Sequence, residues 1–545
     1  MKNQRDLSFW KLWNLSFGFF GVQIAYALQS SQVSRIFSTI GADPHDLSYF
    51  WILPPLMGLI VQPIVGSASD RTWCRLGRRL PYLLIGAAVA IVVMCFLPNA
   101  GSLGLAISQA IIFGLIMLML LDTSINMAMQ PFKMLVGDMV NEKQKGLAYS
   151  IQSFLCNAGS VVGYVAPFVL AMFLSNTAPA GEVPPTVTWA FYLGAFILLL
   201  CVVYTFAKVR EMPPAEYAAF HGIETAPKAD NAPKENMFRL LVKAPNVFWT
   251  VGIVQFFCWA AFLYMWTYST DAVAIQAFDA PSVQEVTGVT IDGKAYNDKF
   301  FFAGEQPVIE NGRLALTPGG EATVLSMLEP GTVLTMAHIA KLDDNTGEYV
   351  LEQTSELPPF ATAAELTLNY KTVLDPSTKA YQDAGDWNGN LLAIQAIAAV
   401  LWAVVLAGVK RRRLAYSLSL LLGAAGFISV SFIHNQYALG ISYALMGCAW
   451  AAMLSMPFTI LTNALSGGNI GTYLGLFNCT ITIPQIVAAL CGGLILGCFP
   501  TVAEGASAGA PLTVGMLTVS GVLLLAGALA VWNIKETYGS QQVNS

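Results

Sequence analysis

Residues 103 to 133 form a long apolar run, and Asp122 stands near its centre. A carboxylate at mid-bilayer costs about 2.5 to 3.5 kcal/mol on insertion scales and persists only when it faces a cavity or a partner. At 1.5 Å per residue, Asp122 falls about 27 Å from the start of that helix and about 24 Å from Asp138 at its other end. Burial favours a neutral carboxyl and water access favours a charged one. A carboxyl in this place can therefore hold a proton in one conformation and release it in another, and Asp122 is the expected proton-coupling residue. The plainer alternative is a structural carboxylate satisfied by hydroxyls such as Thr123 or Ser124.

Asn126 follows one turn later, about 40° around the axis, so both side chains can line one cavity. Lys133 is close in projection but about 16 Å away along the axis, which suits snorkelling toward headgroups better than pairing with Asp122. Gln29, Gln62, Gln130, Gln152 and Asn478 place further neutral donors and acceptors inside apolar runs. Sugars call for that chemistry, and aromatic faces such as Trp51 and Trp259 suit the C–H faces of a pyranose. These seven residues together with Asn126 are the expected substrate-binding set. Each Trp taken alone is more often packing or an interfacial anchor than a sugar contact.

The elements that must position these residues are set by composition. The 545 residues are 55% hydrophobic and only 11% charged, against about 25% charged in soluble proteins. Mean hydropathy is +0.58. An ordinary soluble enzyme is excluded, and the net charge of -5 offers no support for nucleic-acid binding. A spanning helix needs about 20 apolar residues. Such windows occur at 10 to 34, 47 to 69, 80 to 98, 103 to 133, 146 to 174 and 187 to 208. Six more follow at 246 to 270, 388 to 409, 413 to 433, 437 to 464, 470 to 499 and 511 to 533.

The expected fold is therefore an all-α polytopic membrane protein with twelve transmembrane helices in two six-helix bundles. Its parts are an N-terminal bundle at 1–208, a cytoplasmic linker at 209–245, helix 7 at 246–271, an extracytoplasmic insert at 272–388, helices 8 to 12 at 389–533 and a cytoplasmic tail at 534–545. The insert carries 17 Asp plus Glu against 6 Lys plus Arg, with short strand-like segments between Gly, Asn and Asp turns, and reads as a small β-rich domain. Outside it, Lys and Arg gather on alternate loops, which places both termini inside; Arg35 is the exception. The nine cysteines form no CxxC pair and read as reduced, packed thiols. There is no Walker loop and no HExxH, so neither a catalytic site nor a metal site is expected.

Between the second and third windows the chain reads GSASDRTWCRLGRR. This resembles the G-x-x-x-D-R-x-G-R-R signature of the major facilitator superfamily, with four residues inserted between Arg71 and Gly77. The resemblance implies a cytoplasmic gate motif of Gly66, Asp70, Arg71, Gly77, Arg78 and Arg79. The runs GVQIAYALQSSQ, GADPHDLSYFWILPPLMGLIVQPIVGSASD and LDTSINMAMQPFKMLVGD resemble the sucrose and glycoside-cation symporters more narrowly, as do NAGSVVGY and FNCTITIPQIVAALCGG. His45 matches the family's external-loop histidine. WAAFLYMWTYST and DWNGNLLAIQA are closest to the bacterial maltose and malto-oligosaccharide branch. Lys133 stands where plant members have Arg, and the Arg they carry at the start of helix 5 falls on Gly146, which weakens the case for sucrose.

The resemblance implies a monomeric, proton-coupled symporter of a disaccharide or short oligosaccharide in a bacterial inner membrane, working among lipid, with no cofactor. Sodium coupling and a sucrose or other glycoside substrate are the alternatives within this class. A membrane sugar sensor with an extracytoplasmic partner at the insert is the alternative of a different class.

Overall fold

A computed structural model describes residues 6–213 except 106, 142 and 180, and residues 216, 244, 246–291, 294–296, 299–303, 308–310, 313–315, 323–324, 336–342, 349–356, 366–409, 411–464 and 477–534. Side chains are described over the same residues except at 70, 71, 130, 133, 137, 284–370, 407, 458, 459 and 462–464. Most of the 209–245 linker and the tail after Ile534 lie outside this set.

The first half is built from α1 (Phe9–Ile40), a short α2 (Pro44–Phe50), α3 (Leu53–Arg71), α4 (Leu80–Phe96), α5 (Ile107–Met139), α6 (Lys145–Leu170) and α7 (Pro185–Lys208). The second half has α8 (Asn246–Phe278), α9 (Lys379–Ala407), α10 (Arg412–Ser429), α11 (Leu439–Ala464), α12 (Cys479–Leu496) and α13 (Val514–Ala530). Eleven helices among the described residues are long and apolar enough to span a bilayer, with α2 and α3 counted as one. The twelfth, α1, has 32 residues, but Gln23, Gln29, Gln32 and Arg35 lower its hydropathy. It qualifies by length, at about 48 Å. The chain is a multi-pass membrane protein of the expected all-α class.

Burial explains why such helices are stable in lipid. Each bundle packs a close interior, Phe19, Leu28, Phe132 and Phe191 in the first and Phe248, Phe262, Phe427 and Tyr443 in the second, all at most 4% exposed. The opposite faces carry Ile85, Val92, Phe196, Val203, Val404, Leu494 and Leu529, each more than half exposed, which suits acyl chains rather than water. Prolines at 63, 131, 167, 457 and 484 sit inside helices. Membrane bundles tolerate them because neighbouring groups satisfy the freed carbonyls.

The membrane helices run further into the insert than the sequence limits of 272 and 388, because α8 continues to Phe278 and α9 begins at Lys379. Strand β1 (Ser282–Ile291) leaves α8 and pairs antiparallel with β9 (Leu366–Leu374), which returns to α9. Together they form a two-stranded stem, with short β2 (Lys294–Tyr296) added to one edge. Further out, β7 (Met336–Leu342) lies between β3 (Lys299–Ala303) and β8 (Tyr349–Glu356), with β6 (Thr323–Val324) beside β3 and a separate hairpin of β4 (Val308–Glu310) and β5 (Arg313–Ala315). The end of the bundle that bears this insert is here called the insert face, and the opposite end, where α1 starts and α7 ends, the linker face.

The stem is tied down on both sides. Ser282 donates its backbone N–H to Ala506 O and its hydroxyl to Ala508 O, and Lys371 pairs with Asp43 at 3.1 Å. Asp43 also caps α2 by accepting the His45 N–H at 2.9 Å. Burial works against ionisation of Asp43, yet the hydrogen bonds from His45 and the Lys371 ammonium outweigh it and hold the carboxyl well below the usual carboxylate range. Gly41 ends α1 at φ 111° while its N–H bonds back to Phe37 O and Ser38 O, a left-handed cap that favours glycine.

Candidate functional site

Asp122 is 2% exposed on α5 and has no cation within ion-pair reach among the described residues. Neutral amides surround it. Gln29 Nε2 on α1 donates to Oδ1 at 3.1 Å, and Asn126 Nδ2 donates to Oδ2 at 2.8 Å and to the Asp122 carbonyl at 2.9 Å. Gln62 Nε2 on α3 donates to Asn126 Oδ1 at 2.7 Å. Three helices of one bundle are thus joined through Gln29, Asp122, Asn126 and Gln62. The i, i+4 spacing of Asp122 and Asn126 puts both side chains on one face, as the helix period requires.

The hydroxyls considered as alternatives do not hold the carboxylate: Thr123 donates to Met119 O and Ser124 to Leu120 O within their own helix. One further acceptor, Gln29 Oε1, is buried without a hydrogen-bond partner among the described residues.

The remaining expected binding residues fall elsewhere. Trp51, 4% exposed, donates from Nε1 to Ser34 Oγ at 2.9 Å and stacks on Trp266 with ring centroids 6.3 Å apart. Trp259 packs edge-on against Trp450 at 5.7 Å, and Trp450 meets Trp266 at the same distance. These rings form a continuous aromatic run from the N-terminal bundle into the second. Trp259 Nε1 is buried without a partner among the described residues.

Gln152 ties α6 to α5 by donating to Phe132 O at 3.2 Å, outside the Asp122 chain of bonds. Asn478 is exposed at the N-cap of α12, where its carbonyl receives the Ile481 and Thr482 N–H groups; residues 465–476 lie outside the described residues. The side chains of Gln130 and Lys133 lie outside the described residues.

The gate motif lies at the linker face. Arg78 and Arg79 both reach Asp138 Oδ2, at 2.7 and 3.0 Å, and Arg79 also donates to Ser69, whose hydroxyl bonds Gly66 O. These contacts clamp α3, α4 and α5 together. Glu211, just past α7, accepts the backbone N–H groups of Arg78, Arg79 and Leu80 at 2.7 to 2.9 Å, which supplies the anion that a helix N-terminus favours. Gly77 at φ 115° makes room, since a Cβ there would lie 2.6 Å from Glu211 Oε1. The side chains of Asp70 and Arg71 lie outside the described residues. Glu211 was not anticipated from the sequence, where it reads as one of several linker charges.

Sequence reasoning also passed over the junction between the bundles. Arg35 is fully buried on α1 and donates to Gln382 Oε1 and Asp386 Oδ1 on α9, each at 2.6 Å, as well as to Gln32 and Asn176. Asn176 reaches Asp383 at 2.8 Å. On the same side, Gly493 N–H meets Ser48 Oγ at 3.1 Å, and α9 comes so near α6 that a Cβ on Gly389 would lie 2.3 Å from Tyr164 O. These cross-bundle contacts all sit toward the insert face. The available signal was Arg35 itself, a lone basic residue inside a span and away from the other cations.

The fold resembles that of major facilitator transporters. One solved structure, that of a D-xylose-proton symporter, superposes with a TM-score of 0.56 at 12% identity, covering 96% of this chain and 97% of that one. Residues 33–286 match the family model described as MFS/sugar transport protein. Sucrose transport protein SUT1 of Oryza sativa subsp. japonica is 28% identical over 239 residues, which is 39% of this chain and 42% of the relative. Sucrose transport protein SUC4 of Arabidopsis thaliana is 24% identical over 266 residues, 46% of this chain and 52% of the relative. These matches thus span about half the length of the relatives, or less. In sequence and fold together the chain resembles the sucrose and glycoside symporter-like branch of the major facilitator superfamily.

Proposed function

We propose that this chain is a sugar transporter of the major facilitator type that imports a disaccharide or short oligosaccharide, maltose or a malto-oligosaccharide foremost, with protons. The linker face is read as cytoplasmic and the membrane as a bacterial inner membrane, following the basic loops. The observation that carries the reading is Asp122, a buried carboxyl held only by neutral amides. A buried charge without a cation is costly, and the neutral acid is the cheaper form in a dry site. The Gln29 amide can serve both forms: its Nε2 donates to a carboxylate, and turned by half a rotation its Oε1 accepts from a carboxylic acid. Proton transfer at Asp122 would then reorder Gln29, Asn126 and Gln62 in sequence.

Unpartnered polar atoms in the two bundles support sugar recognition. A sugar hydroxyl both donates and accepts, and Gln29 Oε1 and Trp259 Nε1 are a buried acceptor and a buried donor lacking partners among the described residues. Trp450 packs against Trp259 and Trp266, so the unpartnered N–H stands among apolar ring faces. The energetics suffice: one charge crossing 100 mV supplies about 2.3 kcal/mol, and each tenfold sugar gradient costs about 1.4 kcal/mol.

The experiment is uptake of labelled maltose, maltotriose, sucrose and trehalose in proteoliposomes under an imposed proton gradient. The wild-type protein should accumulate a malto-sugar uphill, and Asp122→Asn should lose accumulation while keeping exchange of sugar for sugar. Uphill accumulation by Asp122→Asn would refute the role assigned to this residue.

A further inference from the structure

A second buried carboxyl stands at the insert face, away from Asp122. Asp271 on α8 is 5% exposed, accepts the Tyr381 hydroxyl at 2.8 Å and has no cation within ion-pair distance among the described residues. It lines a small cavity of about 20 Å³ whose walls come from three parts of the molecule. Ser38 and Ala42 belong to the first bundle, Asp271 and Tyr381 to the second, and Val373 and Pro376 to the end of the insert stem. That volume has room for one water.

We infer that Asp271 is a second proton-binding site, open to water when the insert face is open and sealed when the two bundles and the stem close over it; this rests on the transport reading above. Access to water sets which form of the carboxyl is favoured. Both bundles wall the cavity, so separating them at Arg35–Asp386 and Ser48–Gly493 must also open it. A carboxylate without a cation is stable in water and costly in the closed junction, whereas the neutral acid tolerates both. Closure therefore selects the protonated form, and acid on the insert side favours closure.

The neighbouring charges do not neutralise Asp271 directly. Arg35 on α1 is committed to Gln382 and Asp386, Tyr381 on α9 and Tyr268 on α8 bring phenol hydroxyls and no cation, and Lys371 on the stem pairs with Asp43 beside His45.

The test isolates this site from Asp122. Full-length protein in lipid nanodiscs, with its native cysteines replaced, carries spin labels at Ser102 and Phe432, both exposed and one on each bundle at the insert face. Electron–electron distances are read across pH 4 to 9 in choline chloride and again in sodium chloride. In the Asp122→Asn background the long-distance, open population should rise at least fivefold from acid to alkaline pH in both salts. Adding Asp271→Asn, or Asp271→Ser as a second neutral variant, should leave the protein closed with no pH response, and Asp271→Glu should restore the response. A pH-independent distance in Asp122→Asn, a response that survives in the double variants, or a response that needs sodium would overturn the proposal. Each of these is independent of whether Asp122→Asn accumulates sugar, so the two readings fail separately.

Discussion

The two bundles carry different chemistry. The first presents a carboxyl and three amides on α1, α3 and α5, each holding the next by a hydrogen bond. The second presents indole rings on α8 and α11, together with an uncharged cluster in which Asn388 donates to Ser269 and Thr270 and accepts from Tyr443. On the proposed reading the labour of sugar coupling is divided: the proton that moves with sugar sits at Asp122 in the first bundle, and ring faces are offered by the second. A ligand lying between them would touch both, which is how one chemical event could bias a rigid-body motion of the halves.

The strongest way to break the comparison is Asp122→Asn, for which accumulation should fall to the level of exchange alone, whereas no single change among the indoles should uncouple transport in that way. The next largest effect belongs to the junction. Arg35→Ala leaves Asp386 buried without its partner, and loss of one member of a buried pair costs roughly 3–5 kcal/mol. The expected result is a clear fall in the thermal midpoint of the purified protein and a shift toward the insert-face-open state, measured by melting and by the same spin-label distances.

Trp259 sharpens the other half of the comparison. Trp259→Phe keeps an aromatic face but removes the unpartnered N–H, so sugar affinity should fall about two- to tenfold, the worth of one neutral hydrogen bond. Trp259→Ala should fall further, with both variants still fully proton-coupled in flux assays. A smaller effect is expected at the linker face. Gly77→Ala puts a side chain at φ 115° against Glu211, at a cost of about 1–2 kcal/mol, which a thermal melt of the purified protein should show as a drop in midpoint.

The smallest effect concerns the stem. The half-exposed Lys371–Asp43 pair contributes about 0–1 kcal/mol, so Lys371→Ala should barely shift the melt at neutral pH. Because the Asp43 carboxyl is lowered in the folded protein, its contribution is present above the unfolded value of about 3.9 and is lost as pH falls through the folded one. The difference between wild type and Lys371→Ala should therefore vanish at strongly acidic pH.

Much of this was legible in the sequence for plain physical reasons. Apolar windows fix spans because lipid requires them, and Asp122 was conspicuous because a carboxyl is so rare in such a window. The i, i+4 step then supplied Asn126. What the sequence could not give was contact between distant segments. Glu211 caps α4 across more than 130 residues, and Arg35 meets Asp386 across 351, with nothing local to mark either pair. The limits of the insert were hidden because Asp271 lies in the last turns of α8 and Asp383 and Asp386 in the first turns of α9, where polarity reads as loop although Asp271 and Asp386 are buried.

The central claim is that Asp122 carries the proton that moves with sugar. The most direct measurement is internal acidification of proteoliposomes holding a pH-sensitive dye when sugar is added outside, with no imposed gradient. Wild-type protein should acidify the lumen in proportion to labelled sugar uptake, and Asp122→Asn should exchange sugar with no proton movement traceable to that position. Sugar-driven acidification in Asp122→Asn at the wild-type ratio of protons to sugar would contradict the account.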